Sequence, residues 1–425
     1  MSDQPSVVIV ICDSLRADMI APDLTPFLSR LRERACWFEA HTSVFPSTTR
    51  ASSASIATGC RPARHGLLGN SMALDEGAGL VCRSAGSPDF RERMRRATGH
   101  TLRVPTLAER LRWHGESAIV CANVSPGAAY FQDPDGHGWV YHPAGSFGPW
   151  RRALDDPPSR ALKKGLDGDR AMTRRFCQEI LRERAPTLAL MWLSEPDYTG
   201  HHAPLGSPQH RAAIAGADAC VREVAQTVRD LDPGGDRILF MTGSDHGMET
   251  VDRMVDLDAL LIETGLKRST DSTELVVAPN GTAATLYFAE PESEHVARVA
   301  DFLARQDWVG RLLVGDALAT VGLPSDTPLR IAVAFAAADE PNPYGVRGRS
   351  AIVRDSLEPK ECTGFGQHGG LGPHEQHPFL IVEGGGFTAG VRSRATSLLD
   401  IAPTVLRHLH MDHDDMDGEA LPLIP

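Results

Sequence analysis

Three stretches of the chain are apolar without interruption. Val7–Cys12 (VVIVIC), Thr187–Leu193 (TLALMWL) and Arg237–Thr242 (RILFMT) lack the alternation of a half-exposed strand. Such runs suit strands buried on both faces of a parallel sheet. Ser117–Ala122 and Phe379–Val382 read as further core strands. Between them lie segments of helical period. Thr25–Ala40 carries Pro26 near its start and Phe27, Leu28, Leu31 and Cys36 on one side. Thr106–His114, Ala171–Arg184 and Arg394–Leu409 also read as helices. Pro208–Leu231 has an apolar stripe at Ala213, Ala217, Cys220, Val224 and Val228. Strands alternating with helices predict an α/β fold with a mixed, mostly parallel sheet between helices.

Three regions break this rhythm. Residues 71–105 are Gly- and Arg-rich and read as irregular. Residues 123–160 carry Gly, Pro and aromatics and read as loops and hairpins over a rim. Residues 251–360 offer short strands (Ala283–Phe288, Leu329–Ala334) around a helix at His295–Gln306. The organisation expected is a core over 1–250, an inserted cap subdomain over 251–360 and a completing core segment over 361–425.

Polar residues recur where the apolar runs stop. Asp13 follows the first run, and Ser194-Glu195-Pro196-Asp197 follows the second, with His201 four residues on. Asp245-His246 follows the third, and His368 sits in Gly366-Gln367-His368-Gly369. Open α/β sheets bind ligands at the carboxyl ends of their strands. Three carboxylates and three imidazoles there offer mixed N/O ligation for two metal ions. Two ions about 4 Å apart can clamp an in-line phosphoryl displacement. Taken singly, each residue has a plainer role: an N-cap, a helix-face pair, turn chemistry or a backbone-bonded loop histidine.

The stretch Ser43–Asn70 (SVFPSTTRASSASIATGCRPARHGLLGN) supplies what such a cluster would face. A Pro46-Ser47-Thr48-Thr49 turn precedes the small-residue segment Ala51–Ala57, which can pack closely on a sheet. A hydroxyl at a helix start lies where free backbone N–H groups point outward, a natural anion site.

Composition narrows the setting. Hydrophobic residues make up 42% of the 425, enough for a full core, and the net charge of −12 argues against a nucleic-acid-binding surface. The cysteines at 12, 36, 60, 82, 121, 177, 220 and 362 are scattered and read as reduced thiols. The N-terminal MSDQPS has no basic, apolar leader, and no apolar run is long enough to span a membrane. A cytoplasmic protein is expected, acting on a small molecule, with no membrane or nucleic-acid polymer as partner and a homodimer as the candidate assembly.

These motifs resemble the alkaline phosphatase superfamily, in its nucleotide pyrophosphatase/phosphodiesterase and phosphonoacetate hydrolase branch. The resemblance rests on Asp13-Ser-Leu-Arg-Ala-Asp18, Thr49 within FPSTTRASSASIATG, His65-Gly66-Leu-Leu-Gly-Asn70, Glu195-Pro196-Asp197-Tyr-Thr-Gly-His201, Ser244-Asp245-His246-Gly247 and Gln367-His368-Gly369-Gly370. The tail Ser397-Leu-Leu-Asp-Ile-Ala-Pro-Thr404 with Asp417-Gly418 fits as well. The resemblance implies an alkaline-phosphatase-like fold and two zinc ions, with manganese or iron as alternatives. Asp197, His201 and His368 would hold one ion. Asp13, Asp245 and His246 would hold the other, together with Thr49. Thr49 would be the nucleophile of a hydrolase of phosphoric esters acting through a phospho-threonine, and Asn70 would donate to a phosphoryl oxygen.

Departures from the family pattern concern the substrate. Phosphonoacetate hydrolases resemble the Ser117–Ser125 region but carry two lysines where this chain has Asn123 and Ser125. Nucleotide phosphodiesterases usually carry a base-stacking aromatic after the nucleophile, where this chain has Arg50. Arg50, Asn70 and Asn123 are the expected substrate contacts. A phosphodiester or nucleotide pyrophosphate leads. A phosphonate C–P hydrolase or phosphomonoesterase of the same mechanism is the alternative, and a non-catalytic phosphate-binding protein is the rival from another class. Sulfatases need an Arg four residues after the nucleophile, and Ser53 stands there instead. His202 and His210 read as lying on exposed turns, and His374 and His377 as loop residues.

Overall fold

The computed structural model describes residues 4–114, 117–291, 293–357 and 360–423. Residues 1–3 of the N-terminal MSDQPS lie outside them.

The apolar runs form the middle of a ten-stranded sheet. Ser6–Cys12 lies at its centre, parallel to Leu188–Leu193 on one side and to Ile238–Gly243 on the other. Ala118–Ala122 continues the parallel set beyond Leu188–Leu193. Leu380–Glu383 adds antiparallel to Ile238–Gly243. The register is close: Cys12 pairs with Leu193, Ile11 with Gly243, and Trp192 with Ala122. Four strands therefore end at one level, and the residues that follow them share one edge.

Both faces of the sheet are covered, as runs without alternation require. One face packs Val8, Val10 and Met191 against Leu28, Phe176, Ala217 and Val224. The other packs Ile9, Leu190 and Met241 against Ile56, Ala128, Ala402 and Val405. The helix Pro208–Leu231 matches its sequence pattern end to end, with Ser207 capping it by accepting from His210 N.

Elsewhere the sequence reading needs correction. The helix expected over Thr25–Ala40 spans only Pro26–Arg34. The apolar Cys36–Phe38 that follows is captured as a strand between Leu380–Glu383 and Gly390–Arg392. Residues 71–105 are not irregular. They hold a hairpin, Ser71–Asp75 with Leu80–Ser84, and the helix Phe90–Thr98. The Thr106–His114 helix shrinks to Leu107–Arg110. The Ala171–Arg184 helix starts at Leu166 and changes to π-helical winding over Phe176–Arg184. In place of one helix over Arg394–Leu409, Thr396–Ser397 pairs with His41–Thr42 and the α-helix runs from Ile401 to His408. His210 is not on an exposed turn. It is buried, and its Nδ1 accepts from Gly206 N.

Residues 275–335 form a separate four-stranded antiparallel sheet, with Leu275–Asn280 and Ala283–Phe288 as its first hairpin. One face packs on Val299 and Leu303 of the helix Glu294–Leu303. The other packs on Leu67, Met72, Leu74 and Phe90, which brings the 71–84 hairpin against it. A second small sheet joins Glu249–Val255 to Arg347–Val353 and to Gly366–Gln367. The segment 251–360 is thus stitched to the chain on either side of it, next to His368.

Candidate active site

The helix after the Pro46–Thr48 turn runs from Thr49 to Thr58, so Thr49 is its first residue. Every residue from Ala51 to Thr58 is buried. Small side chains permit this packing, and their hydroxyls find close acceptors, as Ser53 Oγ does at Ala128 O (2.5 Å). The helix ends on Gly59, whose left-handed φ of 66° suits glycine. Its start is held over the sheet edge, and Thr49 Oγ1 lies 3.2 Å from His246 Nε2.

Around that hydroxyl the fold gathers the acids and histidines that follow the strands. His246 Nε2 is 3.0 Å from Asp245 Oδ2 and 3.7 Å from Asp13 Oδ1. Asp197 Oδ1 is 3.3 Å from His201 Nε2 and 3.5 Å from His368 Nε2. The His246 and His368 rings stack with centroids 3.7 Å apart. The donor atoms of Asp13, Asp245 and His246 lie within 4.8 Å of one another, as do those of Asp197, His246 and His368. His246 bridges the two sets, whereas sequence reasoning placed it in only one.

The carboxylates are held from behind. Asp13 Oδ2 accepts from Trp192 Nε1 (3.2 Å), and Asp245 Oδ1 accepts from Ser14 N (3.2 Å). The oxygens facing the cluster, Asp13 Oδ1, Asp245 Oδ2 and Asp197 Oδ1, are buried without a hydrogen-bond partner. The histidines are oriented in the same way. Nδ1 of His201, His246 and His368 meets the carbonyls of Gly366 (3.0 Å), Gly247 (3.0 Å) and Ser47 (2.8 Å). A carbonyl only accepts, so each Nδ1 carries the proton and each Nε2 is turned to the cluster.

Charge is crowded here. Burial, and then the Asp245 and Asp197 carboxylates, push Asp13 well above the usual carboxylate range. Burial opposes charge on His246, but Asp245 and Asp197 outweigh it and raise its pKa. Burial and the charge of His246 drive His368 well below its ordinary value. On Asp197 burial acts upward, yet His201 and His368 hold it far below the usual range. Bare buried oxygens, fixed imidazole tautomers and like charges in contact make a donor set that fits cations. With nitrogen and oxygen donors and no thiolate, it suits zinc, manganese or iron.

A cavity of about 680 Å³ opens over this cluster, lined on the core side by Thr49, Arg50, Asn70, Ser125 and Lys164. Segment 251–360 adds Met254, Asn280, Ile352 and Leu357. Asn70 Oδ1 accepts from Arg50 N (3.2 Å), a bond that uses neither of its amide N–H groups. Arg50 Nε donates to Ser125 Oγ (3.0 Å).

Asn123, expected at the substrate, is elsewhere. It is fully buried, and its Nδ2 donates to Lys163 O (3.0 Å) and Asp169 Oδ1 (2.8 Å). The buried Asp169 carboxylate beneath the strand end takes its amide, so the side chain turns inward. Sequence reasoning missed three supports. Asp169 ties two strand ends by accepting from Asn123 Nδ2 after one and from Ser194 N and Glu195 N, both at 3.0 Å, after the other, and burial pushes it up to about 6. Glu375 accepts from the backbone of Gly369, Gly370 and Gly372, fixing the loop after His368. Trp192 aims Asp13. Asp169 and Trp192 have no local signal, since each acts on residues distant in sequence.

An α/β fold in which Asp13, Asp197 and Asp245 follow adjacent parallel strands and meet three imidazoles at a helix-start hydroxyl defines an alkaline-phosphatase-like protein with a candidate metal centre. More closely, the chain belongs to the Type I phosphodiesterase / nucleotide pyrophosphatase family, whose profile matches residues 7–317. Comparison with curated proteins gives no match. Murine ectonucleotide pyrophosphatase/phosphodiesterase 5, solved as an inactive variant with AMP, shares the fold with a TM-score of 0.67 at 17% identity, over 98% of this chain and 97% of that one. Phosphonoacetate hydrolase from Sinorhizobium meliloti 1021, solved with phosphonoformate, aligns with a TM-score of 0.67 at 18% identity over 96% of both chains. The human ectonucleotide pyrophosphatase/phosphodiesterase 5 aligns with a TM-score of 0.65 at 16% identity over 97% of both chains.

Proposed function

We propose that this protein is a zinc-dependent hydrolase of phosphoric esters, taking a phosphodiester or nucleotide pyrophosphate linkage and passing through phospho-Thr49. The observation that carries the reading is the set of three bare carboxylate oxygens and three inward Nε2 atoms around Thr49 Oγ1. Asp197, His201 and His368 would hold one ion; Asp13, Asp245, His246 and Thr49 would hold the second. Bound zinc would supply the Lewis acidity that makes a threonine hydroxyl nucleophilic near neutral pH and offsets phosphoryl charge.

The chain's own residues do the rest. Thr49, as the first residue of its helix, meets the substrate where the helix dipole favours anions. The Asn70 amide N–H groups stand next to it as donors to a phosphoryl oxygen. Attack by Thr49 Oγ1 forms an O–P bond as the bond to the leaving oxygen breaks, and the departing group takes up a proton. Water then attacks phospho-Thr49, releasing the acid and restoring the hydroxyl, with net retention from two in-line displacements.

The test is Thr49→Ala against Thr49→Ser on bis(p-nitrophenyl) phosphate with zinc present. Thr49→Ala is expected to lose at least about 10³-fold in kcat, and Thr49→Ser to keep part of the rate. Acid quenching of the wild type is expected to trap a p-nitrophenyl phosphoryl group on residue 49. Full activity in Thr49→Ala, or that group on Thr48, would refute the assignment.

A further inference from the structure

The cavity's charges are unevenly placed. On the side of segment 251–360, Lys360 stands with Asp355 and Glu361. On the core side the charged groups beyond the candidate metal ligands and His202 are Arg50 and Lys164. Arg50 is already engaged, with Nε on Ser125 Oγ and its guanidinium over Gly86, where a Cβ would lie 2.5 Å from Nη2. Lys164 makes no hydrogen bond or ion pair through its side chain among the described residues.

Its backbone, in contrast, is fixed on both sides. Lys163 O accepts from Asn123 Nδ2 (3.0 Å), and Gly165 N donates to Ser194 Oγ (2.9 Å). Asn123 and Ser194 both donate to Asp169 Oδ1, at 2.8 and 3.0 Å. The approach needs Gly168, because a Cβ there would meet Lys163 O at 1.8 Å. Two strand ends and a buried carboxylate therefore set where one lysine stands. A lysine serving only solubility gains nothing from such a mount.

We propose that Lys164 binds a second anionic group of the substrate, beside the reacting phosphoryl, so that the site favours phosphoric esters or anhydrides carrying at least two negative charges. This rests on the ester-hydrolase reading above. It also gives Asn123 a purpose: the strand end places the cation through its neighbour's backbone.

Three p-nitrophenyl substrates separate the sources of the charge. Ethyl p-nitrophenyl phosphate carries one negative charge. The 2-carboxyethyl analogue adds a second on the substituent, and p-nitrophenyl phosphate adds it on the phosphoryl group. One charge-assisted hydrogen bond corresponds to about 10- to 100-fold. Lys164→Ala is expected to lower kcat/KM by that factor more for a dianionic substrate than for the ethyl diester, with Lys164→Arg recovering most of the loss. A selective loss on the 2-carboxyethyl diester is the expected result; a loss confined to p-nitrophenyl phosphate would put Lys164 on the phosphoryl group itself and overturn the inference. Equal losses on all three, or none, would overturn the inference while leaving ester hydrolysis standing; a wild type inert to all three with zinc would count against the hydrolase reading. Calorimetric binding of inorganic pyrophosphate, which carries a second anionic group, is independent of turnover: Lys164→Ala is expected to weaken it about tenfold while leaving inorganic phosphate binding nearly unchanged, and unchanged pyrophosphate binding overturns the inference.

Discussion

Asp13→Asn is expected to stabilise the metal-free protein while lowering its response to zinc. Asp13 is 1% exposed, and its Oδ1 has no hydrogen-bond partner. Its ligand oxygen and that of Asp245 lie within 4.8 Å of each other. At an effective dielectric constant of about 20, that separation costs at least about 3.5 kcal/mol. A protonated His246, 3.7 Å away, returns about 4.5 kcal/mol on the same scale. These two nearly cancel. Desolvation of a buried carboxylate then costs several kcal/mol, of which the Trp192 bond recovers about 1.5–3 kcal/mol. The remainder, about 1–3 kcal/mol, opposes the charged form, in agreement with the raised pKa of Asp13. Asparagine keeps an acceptor for Trp192 Nε1 and sheds the charge. The sign with pH follows. Below the ordinary value of 3.8, folded and unfolded chains both hold the proton and the variant gains nothing from lost charge. As pH rises above it, the unfolded wild type releases a proton that the fold retains, so wild-type stability falls relative to the variant. Urea unfolding in chelator at pH 7 reads this gain. With zinc at about 100 times its dissociation constant, each bound ion should add about 2.7 kcal/mol to the wild type, and Asp13→Asn should lose the share of the site it helps to hold. A variant less stable than wild type in chelator, with its zinc response intact, would refute the electrostatic account and Asp13 as a ligand together.

Two further outcomes follow from the same geometry. His201→Ala should lower bound zinc from about two ions per chain to about one, as read by elemental analysis of dialysed protein, because His201 faces Asp197 from outside the His246-centred set; full retention would remove His201 from the ligands. Burial, and then Glu249, push Glu375 up to about 7 from 4.5, so the fold holds a proton there that the unfolded chain releases. Stability should therefore drop between pH 4.5 and 7, and Glu375→Gln should flatten that drop by about 2–3 kcal/mol in paired urea titrations.

The parts of the fold legible in the sequence are those whose pattern follows from their own burial. Ser6–Cys12 and Leu188–Leu193 are buried along nearly their whole length, so their runs are unbroken. Pro208–Leu231 rests one stripe on the sheet and starts at a Ser-Pro cap, so both ends could be placed. The 71–84 hairpin was unreadable because its partner surface, Val276 and Ala278, lies about two hundred residues away in sequence. Cys36–Phe38 continued a helical pattern until a sheet edge claimed it. The same division holds at the site. Acids and histidines directly after strands could be singled out, and the fold brings Asp13, Asp197, His201, Asp245, His246 and His368 around Thr49. Asn123 also follows a strand, but whether a strand-end side chain faces the cavity or the layer beneath depends on what packs there, here Asp169.

Buried acids elsewhere in the fold are satisfied where those of the site are not. Asp169 is saturated by Asn123, Ser194 and Glu195; Asp218 accepts from Phe27 N and Leu28 N; Glu375 accepts from three backbone N–H groups and two hydroxyls. These carboxylates serve the fold, and their oxygens find donors, as buried polar atoms generally do. Asp13, Asp197 and Asp245 each leave an oxygen bare, and all three bare oxygens point to one place. The nearby imidazoles spend their protons on backbone carbonyls behind them. A cluster evolved only for stability would close on itself through arginine or lysine, as Arg175 does with Asp156 and Glu179. Here the acceptors face inward, their donors face away, and the deficit is positive charge. The fold supports that arrangement with Trp192 and Ser14, at a cost to its own stability that a bound cation would offset.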